Sequence, residues 1–294
     1  MSLAWLFTGL LLIQQAAIPQ SSVEITKDGK PVSTINKSEY FIGDPHYLIL
    51  DTKKYDLLLD QLEKQFSVTP IDAKLDRHEN IIPEQVGERI NKQLFTERFF
   101  SYFFEHRYAT IEIPMYPVYP KVDSELLSAI RSVRIGRYIT SFNPGNKKRT
   151  TNIELAAEAI NNHVVFPGET FSFNRVVGKR TVEKGYEKAK VIVRGEYAED
   201  IGGGICQVSS TLFNAVDSAG LKVVQRFSHS RHVSYIPPGR DATVSWHGPD
   251  FEFKNMYNQP VIIQARTLGN HLVIKLYSSD VIEYQPKKIP FPPL

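Results

Sequence analysis

A single cysteine, Cys206, follows three consecutive glycines in the run Ile201-Gly202-Gly203-Gly204-Ile205-Cys206-Gln207-Val208-Ser209-Ser210-Thr211-Leu212. Glycine reaches positive φ at no steric cost and lets a backbone approach a ligand closely. Beyond the thiol, Val208, Leu212, Ala215, Val216 and Ala219 recur at helical spacing, and Gly220 is a stop signal. Cys206 is therefore expected at the first turn of a helix. There, unpaired N–H groups and the macrodipole favour a thiolate over a thiol. The same amides, with those of Gly203 and Gly204, are placed to hold a developing oxyanion. These are the parts of an acyl-transfer site. The competing reading is a small buried hydrophobe, the common fate of a free cysteine. No Gly-Lys-Ser/Thr follows the glycines, which argues against a phosphate loop.

A cysteine nucleophile needs a base, and the stretch 228–244 supplies candidates. His229 lies 23 residues beyond Cys206, with one helix and one strand expected between them. A helix returning into a strand brings its end back beside the helix start. His229 is then in position to take the thiol proton, with Asp241 orienting the imidazole. A second reading makes Cys206, His229 and His232 the ligands of a catalytic zinc. Arg231 and Arg240 suit a substrate carboxylate, because a guanidinium binds carboxylates bidentately.

The elements that must position these residues follow from periodicity. The first stretch, MSLAWLFTGLLLIQQAAIP, is almost wholly apolar from Leu3 to Ile13. It is short for a membrane span but fits the apolar core of a signal peptide, so residues 1–20 are expected to be an export signal or an uncleaved anchor. Residues 21–118 are read as one unit. Val23 and Ile25 alternate before a turn at Asp28-Gly29, marking a hairpin. Leu57, Leu58, Leu62 and Phe66 fit one helical face, and Val86, Ile90 and Leu94 another. Between them, 73–76 and 81–83 read as a short strand pair, and Met115 to Pro120 as an extended connector. A second unit, 119–282, carries a helix capped by Ser124 and another capped by Thr151 or Asn152. A half-buried strand through Phe171 and Phe173 follows, then strand-like runs at 191–193, 222–227, 243–246, 251–253, 261–265 and 272–276. The fold class is α+β: an N-terminal mixed α/β module, then an α+β domain with a largely antiparallel sheet. The Pro-rich tail 283–294 is expected to be loose.

Composition bounds the function. The 294 residues are 42% hydrophobic and 23% charged, a globular balance. A net charge of +3 lacks the dense basic stripe of a nucleic-acid binder. One cysteine allows neither an internal disulfide nor a CxxC site.

The quoted motifs resemble the VanW domain. The resemblance runs from Arg149-Thr150-Thr151-Asn152-Ile153 through Phe166-Pro167-Gly168-Glu169-Thr170-Phe171-Ser172-Phe173-Asn174 to the Gly-Gly-Gly-Ile-Cys-Gln-Val-Ser block. It continues through His229-Ser230, Tyr235-Ile236-Pro237-Pro238-Gly239-Arg240-Asp241 and Asp250-Phe251-Glu252-Phe253, covering about residues 120 to 280. His232 stands where relatives often carry proline, so His229 is taken as the base. The preceding region, with Ala73-Lys74-Leu75-Asp76 and Ile82-Pro83-Glu84, is similar to the peptidoglycan-binding module that often precedes such domains. The resemblance implies an exported or anchored protein acting at the cell wall without a cofactor or metal. Its partners are then peptidoglycan stem peptides and glycan, not nucleic acid, with membrane contact only through the N-terminal segment. The implied activity is that of an L,D-transpeptidase making 3-3 cross-links through Cys206. Gln207 and Ser209 of the motif block join Gly203, Gly204, Arg231 and Arg240 as the expected substrate contacts. Two other readings remain open at this point: a non-catalytic wall-binding accessory protein, and a cysteine peptidase or amidase using water as acceptor.

Overall fold

The computed structural model describes residues 22–42, 49–104, 109–193 and 196–292. The expected export segment lies outside them. Among the described residues, no helix is long and apolar enough to cross a membrane. The chain divides into two compact units, Met1–Ile71 with Gln85–Pro120, and Asp72–Glu84 with Lys121–Leu294.

In the first unit, strand Ser22–Lys27 pairs antiparallel with Lys30–Asn36 and parallel with Ala109–Glu112. The tight turn forms because Asp28 and Gly29 both adopt positive φ, which matches strand twist. Helix Thr52–Phe66 buries Tyr55, Leu58, Leu59 and Leu62, so its inner face is rotated from the expected one and Leu57 is exposed. Tyr55 packs on Phe99 of helix Lys92–Phe104 with ring centroids 4.8 Å apart. Val86, Ile90 and Leu94 do not share a helical face. Gly87–Ile90 is a strand, and it pairs with Met115–Val118, the stretch expected to be a mere connector.

The second unit is α+β, and its strand pairings are antiparallel. Its central sheet has the order Val133–Ser141, His271–Ser278, Val261–Leu268, Val164–Val165. A smaller sheet joins Thr170–Ser172, Glu252–Lys254 and Lys222–Gln225. The short strand pair Lys74–Leu75 and Ile81–Ile82 belongs to this unit, where the Asn162 side chain bonds both the N–H and the carbonyl of Leu75. Helix Lys147–Ile160 starts earlier than expected, capped by Asn146, which leaves Asn152 inside it and buried. Helix Ser124–Ile130 is capped by Asp123 rather than Ser124. The strand through Phe171 ends at Ser172, whose hydroxyl caps the short helix Phe173–Val177. Phe173 therefore enters the core from a helix.

Helix Ile205–Ser218 carries Cys206 and lies on the central sheet at Gly136. A Cβ on Gly136 would fall 2.5 Å from the Ala215 carbonyl oxygen. Only glycine lets the helix backbone settle that close. The far end of this helix is fixed by the tail, which is held rather than loose. Lys287 N–H donates to the Ser218 carbonyl at 2.9 Å, and its ammonium pairs with Asp217. A cation there complements the negative helix end.

This packing makes Gly136→Ala a test of how the site helix is seated. The substitution is expected to lower stability by about 1–3 kcal/mol through overpacking, read as a reduced denaturation midpoint at unchanged m. An unchanged midpoint would mean that the close approach is not a constraint.

Candidate active site

Strands Lys188–Val193 and Glu196–Ile201 pair antiparallel and deliver the three glycines to the start of the site helix. Gly202 and Gly204 take φ of 89° and 110°, in the left-handed region that side chains resist. Gly203 lies against the neighbouring strand, where a Cβ would meet the Ala189 backbone at 2.6 Å. The glycines thus bring the loop against protein, with Gly204 abutting the Arg149 stem. Asn152 locks the loop: its amide donates to the Gly203 carbonyl at 3.0 Å and the Glu187 carbonyl at 2.9 Å, while its oxygen accepts the Glu187 N–H. Cys206 is the second residue of the helix, as expected. Neither its N–H nor that of Gly204 has an acceptor among the described residues. These two donors and the helix dipole favour negative charge at the helix start.

The polar stripe of the helix then holds an irregular segment beside the thiol. Ser209 and Ser210 donate to the Ala242 carbonyl, and the Ala242 N–H donates back to Ser210 at 2.9 Å. Asn214 donates to the Arg240 carbonyl at 2.8 Å. Arg226 donates to the Asp241 carbonyl at 2.6 Å. Residues 243–246, expected as a strand, form none: the Thr243 N–H donates to the Phe227 carbonyl at 2.8 Å and the chain turns at Trp246.

That docking assembles Cys206, His229 and Asp241. Asp241 accepts the backbone N–H of His229 and, at 2.6 Å, its ring Nδ1–H. Nε2 is the nitrogen left free to act on the thiol, and the imidazole and the thiol shift each other's titration. The sulfur also lies 3.5 Å from the Val244 carbonyl oxygen and 3.8 Å from the Thr243 hydroxyl. Burial pushes the Cys206 pKa up, but the His229 hydrogen bond and charge, with contacts to Val244 and Thr243, bring it below its ordinary value. Burial also opposes the His229 charge, yet Asp241 and Cys206 together raise its pKa to about 9. For Asp241, burial favours the neutral acid, and the bonds from His229 overcome it and lower the pKa. The directions are mutually consistent: a thiolate–imidazolium pair steadied by a carboxylate.

Other expected contacts fall elsewhere. Gln207 is buried, accepting from Arg149 at 2.7 Å and donating to Thr140 and the Ser141 carbonyl. Ser209 is buried too, so both residues position the helix rather than face a substrate. Arg240 is spent at the opposite end of the helix, pairing with Asp217 at 2.8 Å and stacking on Phe213. Arg231 is exposed on the rim of a shallow pocket of about 240 Å³ that also takes in His229, Ile236 and Asp241. Among the described residues no group of three His, Cys, Asp or Glu is arranged to hold a metal, so the Cys206–His229–His232 zinc set does not form.

Three neighbours of the thiol escaped the sequence reading. Arg149 and Arg180 are half-buried, and both feel the Cys206 charge. Burial raises the Tyr235 pKa, so its hydroxyl stays protonated. The i, i+3 spacing of Arg149 and Asn152 was the available signal, since it places both on the helix side that meets the glycine loop.

Comparison with known proteins agrees with the residues. The family model described as "VanW like protein" matches residues 148–277. The uncharacterized protein YoaR of Bacillus subtilis (strain 168) is 52% identical over 288 residues, covering 98% of this chain and 95% of that one. The vancomycin B-type resistance protein VanW of Enterococcus faecalis (strain ATCC 700802 / V583) is 32% identical over 116 residues, covering 37% of this chain and 42% of that protein. No solved structure matches.

The coupled pair predicts the pH dependence of thiol alkylation. Iodoacetamide should modify Cys206 at pH values below the ordinary cysteine range, with reactivity falling as pH drops through the lowered thiol pKa. In His229→Ala, burial remains without its counterweight, so the midpoint should move up by about one unit or more. A midpoint indifferent to His229 would show that the imidazole does not act on the thiol.

Proposed function

The chain belongs to the VanW family, and from that footing we propose that it is a cysteine acyltransferase of the L,D-transpeptidase kind, working on peptidoglycan stem peptides outside the cytoplasmic membrane. One observation carries the proposal: His229 Nδ1 is fixed by Asp241 at 2.6 Å, so its other nitrogen is presented to Cys206. A buried structural cysteine needs neither partner.

The Cys206 thiolate attacks the carbonyl carbon of the third stem residue. The tetrahedral oxyanion takes hydrogen bonds from the N–H groups of Cys206 and Gly204. As the intermediate collapses, the bond to the terminal D-alanine nitrogen breaks. The imidazolium of His229 gives its proton to that leaving amine, which leaves a thioester and a neutral imidazole. A side-chain amine of a second stem then attacks the thioester, and its proton passes to His229. The amide cross-link forms and the thiolate–imidazolium pair returns. Asp241 holds the ring in one tautomer throughout. In this scheme the first unit grips the polymer and presents it.

Incubation with a disaccharide-tetrapeptide, followed by mass spectrometry, tests the proposal. A cross-linked dimer lacking one D-alanine is expected from the wild type and none from Cys206→Ala. His229→Ala should slow its formation by about 10²–10⁴-fold. Release of D-alanine with no dimer would instead indicate hydrolysis. Unchanged substrate with a correctly folded chain would refute an enzyme of this class.

A further inference from the structure

Asp241 and His229 lie 12 residues apart on two irregular stretches, and their 2.6 Å contact needs those stretches held at one spacing. The site helix fixes the Asp241 stretch through Ser210 and Asn214. His229 arrives on the other stretch, beyond the end of strand Lys222–Gln225. Besides the bonds of His229 itself, the two stretches are joined by the Thr243 N–H, which donates to the Phe227 carbonyl at 2.8 Å, and by the side chain of Arg226.

Arg226 Nη1 donates to the Asp241 carbonyl at 2.6 Å and to the Gly239 carbonyl at 3.1 Å, so one nitrogen grips the backbone on both sides of Arg240. The guanidinium rests on the ring of Phe213, a buried residue of the site helix, 4.8 Å from its centroid. Arg240 lies 4.8 Å from the same ring, and its Nε donates to Asn214 at 2.8 Å. A cation seated on an aromatic ring with its donors on carbonyl oxygens has its geometry fixed from both ends. Arg226 thus spans three elements: the stretch that carries the imidazole, the stretch that carries the carboxylate, and the helix that carries the thiol.

We propose that Arg226, seated on Phe213, is a positioning residue of the site: by gripping the Asp241 backbone from the stretch that leads into His229, it sets the carboxylate–imidazole contact on which the base depends. This rests on the acyltransfer reading and adds to it a residue that acts through Asp241. Charge and position have opposite signs here. The charged and titratable groups facing His229 are Asp241 and Cys206, with Arg231 and His232 lining the same pocket. A cation repels an imidazolium, so if Arg226 acted only as a nearby charge, deleting it would raise the His229 titration midpoint. Acting through Asp241, its deletion loosens the carboxylate that favours the charged ring, and the midpoint falls.

The test is the titration of the His229 ring in the full chain, followed by nuclear magnetic resonance. In Arg226→Gln the midpoint is expected to fall by about one unit, a tenfold loss of proton affinity. Arg226→Lys, which keeps a charged donor but not the planar stack, should recover part of that loss. A midpoint that rises or stays in place in Arg226→Gln overturns the proposal and leaves Arg226 a stabilising contact alone, read as a lower denaturation midpoint with an unchanged titration. If Arg226→Gln does not fold, Phe213→Leu takes its place: the guanidinium loses its seat, the midpoint is expected to fall by a smaller step, and one that does not fall overturns the proposal. The acyltransfer reading fails separately. A folded wild type whose thiol resists iodoacetamide counts against acyl transfer, and the His229 titration still decides the role of Arg226.

Discussion

A stripe of side-chain hydrogen bonds along one face of the site helix holds the rest of the site in place. Ser209 and Ser210 grip both backbone groups of Ala242, and one turn on, Asn214 grips the Arg240 carbonyl. These contacts are buried, so each unmade partner would carry a full desolvation penalty, and the segment has one register that satisfies them. That register puts Asp241 within reach of both nitrogens of His229 that it binds, and Val244 against the sulfur. The thiol does not recruit its base directly. The helix binds the segment that carries Asp241, and Asp241 holds the base.

The opposite side of the thiol is set by close backbone packing. The glycine loop fits only because Gly203 has no Cβ to strike the Ala189 backbone, and because Gly202 and Gly204 accept positive φ. Asn152 then ties the loop to a neighbouring helix. Gly136 performs the matching service beneath, letting the sheet take the site helix at close range. Hydrogen bonding sets one wall of the site and steric clearance the other, and Cys206 lies between them. Burial disfavours the thiolate, and the imidazole, with the contacts to Val244 and Thr243, reverses the balance.

Much of this was legible in the residues. Three glycines before an apolar helical periodicity located the thiol at a helix start, and the chemistry of an ionised sulfur pointed downstream to His229 and Asp241. The α+β class with antiparallel pairing followed from short alternating runs separated by turn signals. What could not be read depends on partners distant in sequence. Residues 243–246 alternate like a strand, but their backbone meets helix side chains, and no local pattern distinguishes the two. Gln207 follows the nucleophile in sequence, yet a helix rotates about 100° per residue, so it faces other surroundings, while Ser209, on the thiol's side one turn on, spends its hydroxyl on the Ala242 carbonyl. Arg240 has the same ambiguity. Its charge suited a substrate, but Asp217 took it first. Arg149 and Arg180 come from other elements, with stems against the glycine loop, and only the assembled fold places them there.

The central claim is that Cys206 and His229 share one ionised pair at neutral pH. Nuclear magnetic resonance of the His229 ring nitrogens reads this directly. The account predicts that both nitrogens stay protonated up to a pH of about 9, and that Cys206→Ser moves the titration down toward the ordinary histidine range. An imidazole that is already neutral at pH 7 and titrates identically in Cys206→Ser would contradict it.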